Sequence, residues 1–290
     1  MFPSFRSFPQ SLRLFVLIVA GVVLVSCGPT SNNPAGHTSP YARAKDAFKS
    51  GQLDKAMDLT EPLATATPPA DSTERARVLR AVIDTGELKG AKDLAEAYSK
   101  GAGKSKNSQF LRTQHDIRAT AAKAAVDLAE MAHLIAPDGV IAKELTLEAS
   151  FPATEGPTEI KELADIEKGD YPEPDQQESA MANSLRKGID DALAAVVGGD
   201  RAKARQALAG GSTKLEGAAF AIFLAKGLAE GAVVFDRHHG LDPQKLRMLC
   251  DEGDESLKAA LALLKDMPDK DQEKEVKKLQ DKFKTIRKDT

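Results

Sequence analysis

The 290-residue sequence predicts an all-α fold of helix-turn-helix repeats, arranged as two helical lobes joined by a proline-rich connection. Three observations lead there. Ala and Leu are abundant while β-branched residues are scattered, which favours helix over strand. Apolar residues recur at spacings of three and four between glycine and proline breaks. The stretch GQLDKAMDLTEP from Gly51 returns as GELKGAKDLAEA from Gly86, and this 35-residue separation is the size of a helix-turn-helix unit.

The chain opens with Arg6 and Arg13, no acidic residue, and an apolar run from Leu14 to Val25. Such a run is too short to span a bilayer, which needs roughly 20 apolar residues, and has the shape of a signal peptide. Leu24, Val25 and Ser26 directly before Cys27 resemble the lipobox of bacterial lipoproteins. The resemblance implies that residues 1–26 are removed and that Cys27 becomes a lipidated first residue carrying a diacylglycerol thioether and further acyl chains such as palmitate. Two or more chains give stable membrane anchoring where one does not. Gly28 stands where that family, in enteric bacteria, uses aspartate for inner-membrane retention. The resemblance therefore implies the periplasmic face of the outer membrane.

Within residues 27–40, GPTSNNPAGHTSP (28–40) carries no charge and too little apolar surface to fold, so it reads as a tether. Fully extended, its reach is about 40 Å. Loss of residues 1–26 removes two basic residues and no acidic one, so the net charge of −3 becomes −5. Neither value suits nucleic acid as a partner. The absence of tryptophan and the presence of only three tyrosines argue against a carbohydrate cleft. With Cys27 lipidated, Cys250 has no intramolecular disulfide partner, and its place on a stripe with Leu246 and Leu249 makes it a buried structural thiol.

The first lobe is assigned to residues 41–150. In each repeat copy one amphipathic segment precedes the glycine (41–50, 73–85) and another follows it (54–64, 89–100). Gly51 and Gly86 are expected to reverse the chain after a helix. Ala56 and Ala91 are expected where two helices approach closely. AVVGGDRAKARQAL repeats the sense more weakly, with Gly199 as turn and Ala204 at the close contact. On these positions, and on the twelve residues from Ala56 to Pro68, the chain resembles the tetratricopeptide repeat family over about 90 residues. It departs from that family at Thr60, Ala95 and Leu208, where an aromatic is preferred. The resemblance implies a solenoid that presents a concave face to another protein.

Ser108 is placed to cap a long helix carrying Ile117, Ala121, Ala124, Leu128, Met131 and Ile135, which Pro137-Asp138-Gly139 ends. Residues 151–176 form the proline-rich, acidic connection, with room for one short helix. The second lobe, 177–290, has helices expected at 177–197, 201–209, 213–235, 243–266 and 270–287. GAAFAIFLA from Gly217 is apolar all round and is expected to be its most buried segment. The last helix places Val276, Leu279, Phe283 and Ile286 on one face, and reads as a cap that ends the helical stack rather than as a lipid-lying or partner-pairing helix.

Motifs for chemistry are sparse. GAGKS from Gly101 lacks the strand and the first glycine of a phosphate loop, so it reads as a turn. Asp236, His238 and His239 form the one metal candidate, a weak one because adjacent loop histidines do not converge on one ion. Asp242 before Pro243 explains itself as a helix cap. His115 and His133 lie about 27 Å apart along one helix and share no ion. Neither a nucleophile elbow nor HExxH occurs. A dispersed carboxylate pair stays open, disfavoured by the missing tryptophan.

No cofactor is expected, and no enzymatic activity. The sequence reads as a membrane-anchored scaffold for another envelope protein. The alternative is a small-ligand binding component of a transport system, its pocket near residues 151–174.

Overall fold

The computed structural model describes residues 39–70, 72–149, 156–235 and 242–288. The signal peptide, Cys27 and almost all of the tether lie outside them, as do Asp236, His238 and His239. The described part is mostly helical, as expected for an all-α protein, and belongs to one compact unit, Thr38–Thr290.

Helix α1 (Pro40–Lys49) starts where Ser39 Oγ accepts the Ala42 N–H and proline takes the first turn. It ends at Gly51, whose φ of +73° lets the chain reverse into α2 (Leu53–Ala64). This hairpin forms as the sequence predicts, with Ala56 fully buried in it.

The second repeat copy does something different. Helix α3 runs unbroken from Thr73 to Lys104, straight through Gly86, so the expected turn there is absent. The cause is α6 (Pro174–Val196), which crosses α3 at this point. A Cβ on Gly188 would lie 2.0 Å from the Gly86 carbonyl oxygen, and one on Gly90 would lie 2.2 Å from that of Ser184. A Cβ on Gly86 would meet the Ile189 Cα at 2.5 Å. These glycines bring two backbones into contact and reverse nothing. Ala91, one residue beyond, is fully buried as expected.

Helix α4 (Gln109–Ile135) follows a short link and packs on α3. Ser108 stands at its N-cap, but Asn107 Oδ1 takes the Gln109 N–H instead. Ile117, Ala121, Ala124, Leu128 and Met131 are buried, and Asp138 and Gly139 end the segment at positive φ.

The short helix of the connection is α5 (Lys161–Lys168), stopped by Gly169 at φ +102°. A capping box between Glu173 and Gln176 then starts α6 three residues earlier than expected. Asp200 accepts the Lys203 N–H to begin α7 (Arg201–Leu208), where Ala204 is buried. The positive φ of the preceding turn belongs to Gly198 rather than to the expected Gly199.

Residues 213–216 were expected in a helix. They form β2 (Thr213–Glu216), antiparallel to β1 (Glu144–Leu147), with Leu145 opposite Leu215 and both buried. Gly211 at φ +77° separates β2 from α7, and β1 supplies the hydrogen-bond partners that make these four residues extended.

Helix α8 (Gly217–Val234) is the buried apolar segment. It is long and apolar enough to cross a membrane, yet most of it lies inside the packed unit. Helix α9 (Pro243–Asp266) is capped by Asp242, whose carboxylate accepts the Gln244 and Lys245 N–H groups. Helix α10 (Lys270–Lys288) buries Val276, Leu279 and Phe283 and packs on α8 and α9. Its apolar face is therefore occupied by protein, which leaves no apolar stripe to lie in a bilayer.

The two expected lobes share one hydrophobic core. Helix α3 packs on α6 and α4 packs on α8, so the connection joins elements that are already in contact.

The glycine contacts give a direct test. Gly188→Ala is expected to lower stability by about 1–3 kcal/mol, because its methyl group meets backbone that cannot move alone. Gly103→Ala, in the last turn of α3 with nothing within 4 Å, is expected to be neutral or stabilising by about 0.5–1 kcal/mol. Urea denaturation of both variants checks the contrast.

Candidate functional site

The connection wraps beside the α3–α6 crossing and leaves a cleft of about 500 Å³. Its walls come from Asp93 on α3, Ile160, Leu163 and Ala164 around α5, and Ser184 and Lys187 on α6. The lining is mainly apolar with a few polar groups, and the size falls in the range of small-molecule sites.

Two features fix this geometry. Gly156 sits where a Cβ would lie 2.5 Å from the Lys187 amide nitrogen, so only glycine brings the connection this close to α6. Its N–H donates to Asp190 Oδ2 at 2.8 Å and its carbonyl accepts from Arg201 Nη1 at 2.9 Å. Arg201 also grips Asp191 through Nε at 3.2 Å and Nη2 at 2.9 Å, while Lys187 reaches the same carboxylate at 2.9 Å. Burial works against ionisation of Asp191, but the hydrogen bonds from Lys187 and Arg201 prevail and hold it below the usual carboxylate range. For Asp190 burial wins over the Gly156 N–H and Arg201, and its pKa is raised.

Ser184 Oγ is buried and has no hydrogen-bond partner among the described residues. A buried hydroxyl without a partner is costly, by about 1–3 kcal/mol.

A second polar cluster lies between α2, α3 and α4. Arg80 Nη1 donates to Glu61 Oε2 at 2.6 Å and to the Met57 carbonyl at 3.2 Å. Its Nε stands 3.8 Å from Asp84 Oδ2, and neither oxygen of the fully buried Asp84 has a hydrogen-bond partner among the described residues. Burial raises the Asp84 pKa well above its ordinary value, against the opposing effect of Arg80. Burial, reinforced by Asp54, also pushes Glu87 up to about 7. Asp84 has no exposed surface for a substrate to reach, so these perturbed carboxylates do not form a catalytic pair open to a ligand.

The residues singled out from the sequence do not converge. Gly51, Ala56, Gly86, Ala91, Gly199 and Ala204 are spread over α1 to α7 as turn and packing positions. Among the described residues no group of three His, Cys, Asp or Glu side chains is placed to hold a metal ion. His115 is exposed, and His133 Nδ1 lies 3.2 Å from Glu252 Oε1. Cys250 is buried, and burial pushes its thiol up to about 11, which suits a structural role. GAGKS forms the end of α3, with Gly101 packed against Ile166 and Phe110.

Sequence reasoning placed a pocket near residues 151–174 but named none of the cleft's lining residues, and it missed the Arg80–Asp84 cluster. One signal was available for the second: Arg80, Asp84 and Glu87 are spaced i, i+4, i+7, and Arg80 and Asp84 flank the apolar run Ala81-Val82-Ile83. The cleft had no such signal, because Asp93, Leu163 and Ser184 meet only through the crossing.

Together these features define a helical protein with a ligand-sized cleft beside a tight helix crossing. Comparison with protein families, with curated proteins and with solved structures found no match.

The raised carboxylates set a pH dependence. In the folded chain Glu87 keeps its proton up to about pH 7, whereas unfolded it loses it near its ordinary 4.5. The folded state therefore binds more protons in that window, and stability falls as pH rises through it, by roughly 1–3 kcal/mol from this group. Asp84 acts in the same direction. The urea midpoint is expected to drop between pH 5 and pH 8, and the double variant Asp84→Asn, Glu87→Gln to flatten the drop. A rising midpoint contradicts this account.

Proposed function

We propose that the chain is a lipid-anchored envelope protein, and that its helical body works as a tethered scaffold for another envelope protein. The observation that carries the reading is the order of the N-terminal features. A basic start, a run from Leu14 to Val25, a stop at Cys27 and an uncharged tether lead directly into helix α1. Lipidation of Cys27 fixes the body at a membrane, and the tether lets it reach partners there. The outer membrane, by the glycine at position 28, is the proposed location.

The tetratricopeptide-like part of the reading narrows to the α1–α2 hairpin. Gly51 as turn and Ala56 as small contact residue support it there. The continuity of α3 through Gly86 argues for a bundle around one long helix beyond that point.

The second reading is binding of a small amphipathic ligand in the cleft between α3, α5 and α6. The specific observation in its favour is the buried, unpartnered Ser184 hydroxyl beside an apolar floor at Ile160, Leu163 and Ala164. This cleft adjoins residues 151–174, where the sequence reading placed such a pocket.

Labelled palmitate is expected in the native protein and not in Cys27→Ala. Envelope cross-linking with mass spectrometry is then expected to capture one dominant protein with the native chain and to lose it with the variant. Palmitate in the native chain with no enriched protein would favour the cleft as the functional element, to be tested by small-ligand screening of the purified protein.

A further inference from the structure

Helix α10 carries eight basic and four acidic residues in a chain whose net charge is −3. Its inward face is closed, with Val276 and Leu279 buried and the Phe283 ring packed on Gly253 of α9. The acids on α10 are partly neutralised: Glu275 pairs with Lys226 at 3.3 Å and Asp281 with Lys284 at 3.2 Å. Arg287 is held by Asp251 and Asp254 of α9 at 3.0 and 2.6 Å.

What is left, besides exposed Asp271, Glu273 and Lys282, is a row. Lys270, Lys274, Lys277, Lys278 and Lys288 are all exposed, and none of them has a carboxylate partner among the described residues. Their spacing of four, three, one and ten residues keeps them on the face opposite the buried one. At 1.5 Å per residue the row is roughly 27 Å long. It contains no exposed aromatic or large aliphatic side chain, so it offers charge and no apolar anchor.

We propose that this lysine row docks electrostatically on the anionic phospholipid headgroups of the membrane that holds the chain. The inference rests on the anchored reading above and adds an orientation: α10 faces the bilayer surface. A row of separated ammonium groups suits a laterally mobile array of headgroups, whose charges can gather beneath each lysine. A shaped protein partner would need fixed carboxylates in register, and would gain from apolar contacts that this face does not offer. The chain as a whole is acidic, whereas α10 carries more basic than acidic residues. The attraction acts over about 10 Å at roughly 0.1 M salt and about 3 Å at roughly 1 M.

The test is amine-reactive footprinting with mass spectrometry. Full-length protein is mixed with vesicles of phosphatidylcholine alone or of phosphatidylcholine with phosphatidylglycerol, and flotation is scored in parallel. The expected result is severalfold slower labelling of the five lysines on the phosphatidylglycerol vesicles at roughly 0.1 M salt, with the protection lost at roughly 1 M. In Lys277→Gln, Lys278→Gln the protection of Lys270, Lys274 and Lys288 is expected to weaken. Flotation on both vesicles with equal labelling overturns the proposal and leaves the anchor standing. Flotation on phosphatidylglycerol vesicles alone, salt-sensitive and with the lysines protected, upholds the docking and overturns the anchor. Protection by polyglutamate but not by vesicles overturns the proposal in favour of an acidic protein partner.

Discussion

The contact between α3 and α6 is the constraint on which the rest of the fold depends. Two helical backbones approach so closely that Gly86, Gly90 and Gly188 have no room for a Cβ. Each glycine inside a helix costs roughly 1 kcal/mol relative to alanine, and the crossing offsets that cost by bringing long stretches of both helices into contact. Once α6 lies in this position, α3 cannot turn at Gly86. Its 32 residues then become the axis on which α2, α4, α5, α8 and β1 pack.

The cleft is a consequence of the same crossing. Gly156 repeats the device on the other side of α6, bringing the connection close enough for Asp190 and Arg201 to hold both its backbone groups. The connection therefore forms a fixed wall, and α5 leaves a space against α3 that no side chain of the core fills. Arg80 and Asp84 show the opposite outcome of a central α3. Over residues 78–84 every side of the helix is covered, so it buries whatever it carries there, including a carboxylate with no hydrogen bond among the described residues. That arrangement is tolerable only because Asp84 resists ionisation and Arg80 finds Glu61.

Much of the local structure was legible along the chain. The start of α9 follows from Asp242 as its cap, whereas Ser108, read as the cap of α4, makes no such bond, and α8 follows from an apolar run without a polar face. Cys250 reads as buried from its neighbours at Leu246 and Leu249, and it is. The larger errors, at Gly86 and at residues 213–216, share one cause. Gly86 and Gly51 look alike in a repeat, but one lies under another helix and the other has nothing within 4 Å. The β2 strand looked helical because its partner β1 is distant in the chain, and four residues carry too little period to decide.

The sequence by itself determined the helical composition, the caps, the buried stripes and the N-terminal pattern that ends at Cys27, because each of these is set by neighbours within about two turns. Only the tertiary structure decided which glycines turn and which touch, that the connection forms a cleft, and that α10 spends its apolar face on α8 and α9 and keeps its lysines outward. Those outcomes depend on which surface arrives from a distant part of the chain, and local spacing carries no record of that.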